Sequence, residues 1–218
     1  MKRMSGSFFG AKKFNQDIGS WNTSKVTTMS AMFAKAQAFD RDIGSWDTSM
    51  VRYMGAMFTG SKSFDRDISH WDTSNVLTMS SLFQSAHSFN NGGKSLNTWD
   101  THNVKSMTGI FKDAKNFNQD IGSWNTSRVI RMRWAFDGAD SFNQDISAWD
   151  TSRVTSMEEM FVGAISFNQD LSGWNVSPLL NDTWDVEDRC GRFAFGTSPP
   201  VGSWTQPKPA LPPECLVG

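Results

Sequence analysis

The chain has 218 residues and a formal net charge of −1, from 21 basic and 22 acidic residues. That balance argues against a dedicated nucleic-acid binder, which carries a clear basic excess, and no apolar run approaches the roughly 18 residues a membrane-spanning helix needs. With 17 Phe and 10 Trp against a single Tyr, Tyr53, the composition excludes disorder for most of the chain and supplies the burial area of a sizeable core.

The opening stretch, MKRMSGSFFGAKKFNQD, has a basic pair but no apolar segment behind it, so it does not read as a secretory signal. From residue 4 onward, MSGSFFGAKKF matches MSAMFAKAQAF at 29 to 39, so the chain enters a repeat in mid-unit. Tryptophans follow at Trp21, Trp46, Trp71, Trp99, Trp124, Trp149 and Trp174, in steps of 25, 25, 28, 25, 25 and 25 residues. Periodicity of this length signals a repeat architecture before any local structure is read.

Within the unit WDTSMVRYMGAMFTGSKSFDRDISH from Trp46, apolar residues recur at positions 5, 8, 11, 12, 15, 18 and 22, counting the Trp as zero; position 15 is Ser61 here and mostly Ala elsewhere. Asp or Asn followed by Thr-Ser is N-cap chemistry. Positions 5 to 15 fall on one stripe at helical spacing and predict a short amphipathic helix or helical turn. A polar turn, NQD or DRD, comes next, and a β-prone piece such as DIGSW leads back to the Trp. No unit buries its stripe alone; stacked copies do. The expectation is therefore a right-handed α/β solenoid of about seven 25-residue coils over residues 4–177, its strands paired in parallel. A terminal coil normally carries a polar cap, so the open first unit points to a shortened chain, to a partner over that end, or to end-to-end self-association.

The one long step holds an insert, NNGGK at 90 to 94, expected to bulge outward. The fifth unit departs in composition: Arg128, Arg131 and Arg133 cluster with Trp134, and Arg153 follows one unit later in the column of Arg128. Arg with Trp is a frequent pairing at recognition hot spots, so these five form the candidate binding patch for an acidic protein or a glycan. The competing reading packs Trp134 against the next coil, where Ala135 replaces the expected Met. After Trp174 the repeat fails, and all seven prolines lie in 178–218, read as a C-terminal cap or Pro-rich tail. Both cysteines, Cys190 and Cys215, fall there as a candidate disulfide.

Units such as FNQDISAWDTSRVTSMEEMFVGAISF, 142 to 167, resemble the repeats of BspA-type leucine-rich-repeat surface proteins, a group of which much is a domain of unknown function. The shared motif is F-N-x-D-[IL]-x-x-W-[DN]-T-S-x-V-x-x-M-x-x-M-F-x-x-A, and it covers about residues 4 to 177. The resemblance implies a leucine-rich-repeat-like solenoid displayed outside the cell, used for adhesion or protein recognition, without catalytic residues. No export signal, lipobox or wall anchor is read in the chain, which leaves its compartment open.

Chemistry-bearing motifs are few. His70, His87 and His102 each replace a polar repeat residue, and no G-x-S-x-G, H-E-x-x-H, P-loop or C-x-x-C occurs. An acid column, Asp17, Asp42, Asp67, Asp120, Asp145 and Asp170, has the oxygen ligands Ca²⁺ prefers, against the plainer reading that each Asp closes its own turn. Sequons at Asn22, Asn125, Asn175 and Asn181 matter only in a eukaryotic secretory route. The expectation is a non-catalytic module with no cofactor or metal, binding a protein or glycan. The alternatives are a structural subunit packed through its open first unit and a Ca-dependent surface component.

Overall fold

Most units begin with Asp or Asn, Thr and Ser, with His102 replacing the Ser in one and Val176 the Thr in another. In the computed structural model, which describes residues 2–181 with side chains to Leu179, Asp72 Oδ1 accepts the Ser74 N–H at 2.9 Å and the Ser74 hydroxyl at 2.6 Å. This closes a local Asx turn. The Thr points inward: Thr73 is buried, and its Oγ1 donates to the Asp100 carbonyl of the following unit at 2.9 Å. Thr23, Thr48, Thr101, Thr126 and Thr151 make the same bond to their own next units.

Position 7, four residues after the Ser, carries the backbone pairing between units. Arg3, Thr28, Tyr53, Thr78, Ser106, Arg131 and Ser156 form a continuous series of parallel bridges, each to the next. The rungs continue through the following turn. Met29, Ala31, Phe33 and Lys35 donate their N–H groups to the Tyr53, Gly55, Met57 and Thr59 carbonyls at 2.9, 2.9, 2.9 and 2.6 Å.

Of the expected helix or helical turn over positions 5 to 15, the helix is not formed: among the described residues there is no α-helix, only 3-10 segments at Asn91–Gly93 and Ser177–Asn181. The reason lies in the donors. An N–H spent on the neighbouring unit is not available to the carbonyl four residues back. The segment is built instead from i to i+3 turns, Met29–Met32, Ala31–Ala34 and Phe33–Ala36. Positions 10 and 14 take positive φ, as Ala31 at 54° and Lys35 at 62° show. A positive φ at the third turn residue is what type II geometry requires, and an α-helix does not accommodate it. Three-residue turns also bring every third side chain inward, so the apolar spacing imitates a helical stripe. The β-prone DIGSW piece carries no bridge; it too is a turn, with the Gly44 N–H held by Asp42 Oδ1 at 2.9 Å and the Trp46 N–H by the Ile43 carbonyl at 3.2 Å.

Inside, like lies on like. Phe33, Phe58, Phe83, Phe111, Phe136 and Phe161 follow one another at centroid separations of 5.5 to 5.7 Å. A second phenylalanine row sits beside it, with Phe83 against Phe89 at 3.7 Å. Trp21 meets Trp46 at 6.5 Å, and Trp99, Trp124, Trp149 and Trp174 continue the indole row at 6.0 to 6.4 Å. Each indole from Trp46 on is buried and donates Nε1–H to a carbonyl of the preceding unit, as Trp71 does to Ile43 at 3.0 Å. Val, Met, Ala and Ile rows fill the rest of the core. Trp21, the first of the row, remains 40% exposed.

Gly92, Gly93 and Lys94 of the insert are exposed, as an outward loop requires, while Asn91 turns inward. Asn91 is fully buried; its Oδ1 accepts the Ile68 N–H at 2.8 Å and its Nδ2 donates to the Lys94 carbonyl at 2.8 Å. An amide that satisfies two backbone groups at once compensates its own burial, and the bridge row passes the insert unbroken from Thr78 to Ser106. The proposed cap or tail of 178–218 lies outside the described residues beyond Asn181, as do Cys190 and Cys215.

Candidate functional site

Positions 9 and 10 form the outer corner of each unit, directly after the buried Met of position 8. Position 10 takes positive φ in every described unit, which suits the small Gly6, Ala31, Ala56, Ser81 and Gly109, and the sixth unit places Glu159 there at φ 55°. In the fifth unit it holds Trp134, at φ 57°. A bulky side chain in this left-handed region is strained.

The surroundings of Trp134 are ionic. The Arg133 guanidinium lies 4.0 Å from its ring centroid, and Lys112 Nζ lies 5.1 Å from it. Its indole N–H donates to Glu159 Oε2 at 3.0 Å, so positions 10 of adjacent units are joined side chain to side chain. Trp134 is half-buried and takes no part in the apolar core. Lys112 is in turn paired with Asp137. Arg133 Nε is buried, has no hydrogen-bond acceptor, and lies 4.0 Å from Glu158 Oε2, whose other commitment is the Ser156 hydroxyl at 2.6 Å. A buried donor without an acceptor costs about 1–3 kcal/mol.

The five residues of the sequence-derived patch fall into two groups. Arg133 and Trp134 touch each other at the corner. Arg128, Arg131 and Arg153 are exposed on the bridge side of the unit, where Arg128 Nη1 donates to Asn103 Oδ1 at 2.7 Å. Among the described residues no ion pair or hydrogen bond joins the two groups. Sequence reasoning missed Lys112, Glu158 and Glu159. The signal for the two glutamates was the Glu-Glu that follows Arg-Trp one unit later, in register.

The acid column is engaged locally. Asp17, Asp42 and Asp120 each accept the N–H of the glycine two residues on at 2.9 to 3.0 Å, and Asp67, Asp145 and Asp170 that of a serine at 2.9 Å. Among the described residues no three His, Cys, Asp or Glu side chains converge as a metal site would require. His102 takes the place of the turn serine and its Nδ1 lies 2.7 Å from Asp100 Oδ1. Burial works against the Asp100 charge, yet the hydrogen bonds from the His102 ring and backbone hold its carboxyl below the ordinary value. His70 is exposed and His87 half-buried. Asn22, Asn125 and Asn175, the sequon residues, accept from their own turns at 3.0 to 3.1 Å just as the aspartates do.

No helix among the described residues is long and apolar enough to cross a membrane. The family described as Mycoplasma protein of unknown function, DUF285, matches residues 2–98 and again residues 91–184, two tandem copies that meet at the insert. No curated protein and no solved structure matches the chain.

Proposed function

This chain belongs to the DUF285 family, and from that premise we propose that it is a non-catalytic recognition module: a right-handed solenoid of the BspA-type leucine-rich-repeat kind, displayed at a cell surface and binding a protein or glycan for adhesion. The parallel bridge row and the stacked Phe and Trp rows support the solenoid reading. Its inward columns hold one residue type or a near substitute, apolar or small, while positions 4, 6, 7 and 9 change freely from unit to unit on the outside and position 10 departs from small residues at Trp134 and Glu159. In such an architecture, specificity lies on the varied outer face.

The observation that carries the reading is Trp134. A large aromatic held at φ 57°, where other units place mostly Gly, Ala or Ser, costs stability without joining the core. Strain of this kind persists at sites where it has a use. The indole and its flanking cations form an anchor of the sort that dominates interface energetics.

The test is Trp134→Gly. The variant relieves backbone strain of about 1–3 kcal/mol and forfeits the bond to Glu159 and the two cation contacts, so its unfolding free energy stays within about 1 kcal/mol of wild type. Partner captured from the native source by the wild-type chain is lost. A variant that is destabilised by 2 kcal/mol or more while capture persists would assign Trp134 a packing role and remove the anchor.

A further inference from the structure

The net charge of −1 conceals a segregated surface. Positions 4, 6 and 7 of the successive units run as three neighbouring rows beside the bridges: Lys25 to Arg153 at position 4, Lys2 to Thr155 at position 6, Arg3 to Ser156 at position 7. Of these 20 positions, 8 are Lys or Arg and none is Asp or Glu. Two in five is four times the share of the chain as a whole, in which 21 of 218 residues are basic. The cations gather at two levels. Lys2, Arg3, Lys25 and Arg52 lie toward the first unit, and Lys105, Arg128, Arg131 and Arg153 toward the last. All eight are exposed, and among the described residues none is in an ion pair. The acids stand in other columns, where many close turns or pair with lysines, and one of them, Glu158, reaches the edge of the face to accept the Ser156 hydroxyl at 2.6 Å. At about 4.8 Å per rung, the six steps from Arg3 to Ser156 make a face about 29 Å long.

We infer that this face binds an extended anionic polysaccharide, one carrying sulfate or uronate groups. The inference rests on the recognition-module reading but uses different residues from the Trp134 corner. Length and charge select a polyanion. The remaining side chains select its class. Eight of the other positions are Ser, Thr or Asn, whose side chains already make hydrogen bonds within the stack and whose oxygens keep lone pairs that accept from sugar hydroxyls. Only Tyr53 is aromatic, so the face lacks the succession of rings on which the bases of a single-stranded nucleic acid stack. Tyr53, 46% exposed between the two basic groups, offers a single ring face to one sugar.

The experiment immobilises dextran sulfate and compares it with plain dextran, poly-glutamate and single-stranded DNA of matched length, using the intact chain. The variant combines Lys105→Thr, Arg128→Asn, Arg131→Ser and Arg153→Asn. Each replacement is a residue that the same row carries in another unit, so folding is preserved, and an unchanged melting temperature verifies it. The chain is expected to bind dextran sulfate and not dextran, to release as salt rises above physiological strength, and to lose affinity at least tenfold in the variant. A control carrying Lys12→Ser, Lys13→Ser and Lys62→Ser, off the face, keeps wild-type affinity. Equal loss in the control, or equal or tighter binding to poly-glutamate or DNA, overturns the inference. Trp134→Gly should keep dextran sulfate binding, so the corner and the basic face fail independently.

Discussion

Thr73 makes one hydrogen bond that the stack cannot replace. Its hydroxyl crosses to the Asp100 carbonyl at 2.9 Å from a buried position. Thr73→Val keeps the shape and deletes the donor, which leaves a part-buried carbonyl without this bond and costs about 1 kcal/mol. Ser74→Ala, two bonds further out, removes an Oγ contact to Asp72 that water replaces, and stays within about 0.5 kcal/mol. Urea denaturation of the two variants checks the ranking. If Ser74→Ala cost as much as Thr73→Val, the inter-unit bond would have no special weight. The same logic separates Trp71→Phe from a simple volume change, because the indole N–H bound to the Ile43 carbonyl goes with it.

At the scale of the turn, the Asp-Thr-Ser element makes stability depend on pH. The Ser49 hydroxyl and backbone N–H hold the Asp47 carboxyl below its ordinary 3.8, and Ser152 does the same for Asp150. A carboxyl that is more acidic when folded stabilises the fold above the unfolded value and loses that contribution as pH falls through the folded one. The melting temperature should therefore be flat from neutral pH down to about 5 and drop below about 4. Asp47→Asn with Asp150→Asn should flatten part of that drop without loss at pH 7, since Asn22, Asn125 and Asn175 close the same turn without a charge. A steeper acid limb in the double variant would contradict this account. The element also shows where sequence reading succeeds and stops. The Trp and Phe spacing is visible in the letters, because a side chain stacked on its own copy has to recur at a constant interval. The path between them is not. Positions 5 to 15 look helical since i to i+3 turns and an α-helix both bring every third or fourth residue inward. The distinguishing sign was Gly at positions 10 and 14, in Gly6, Gly109, Gly60 and Gly138, which marks left-handed backbone rather than a helix interior. The partners of Trp134 were hidden for another reason: Glu158 and Glu159 are 25 residues away from Arg133 and Trp134, and only the register brings them together.

For the whole molecule, each unit touches only the one before and the one after, so damage should depend on where it falls. Phe83 contacts Phe58, Phe89, Trp99 and Phe111, drawing on both neighbouring units. Phe14, in the first unit, is partly buried and contacts Phe8 and Phe39. Phe83→Ala should cost about 3–5 kcal/mol, as in a closed core, and Phe14→Ala less than half of that. The distribution of the damage is the sharper test, because in a nearest-neighbour stack stability is a sum of unit and interface contributions. Hydrogen exchange should show Phe14→Ala loosening the amides of Gly6, Phe8 and Gly10, which donate to Ser30, Met32 and Ala34, while amides from Met107 onward keep wild-type protection. Phe83→Ala should lower protection on both sides, in the donors Phe58 and Gly60 as well as Met107 and Gly109. A uniform loss across all units from either substitution would mean that the chain unfolds as one cooperative block. The stack would then be held by something beyond contacts between adjacent units.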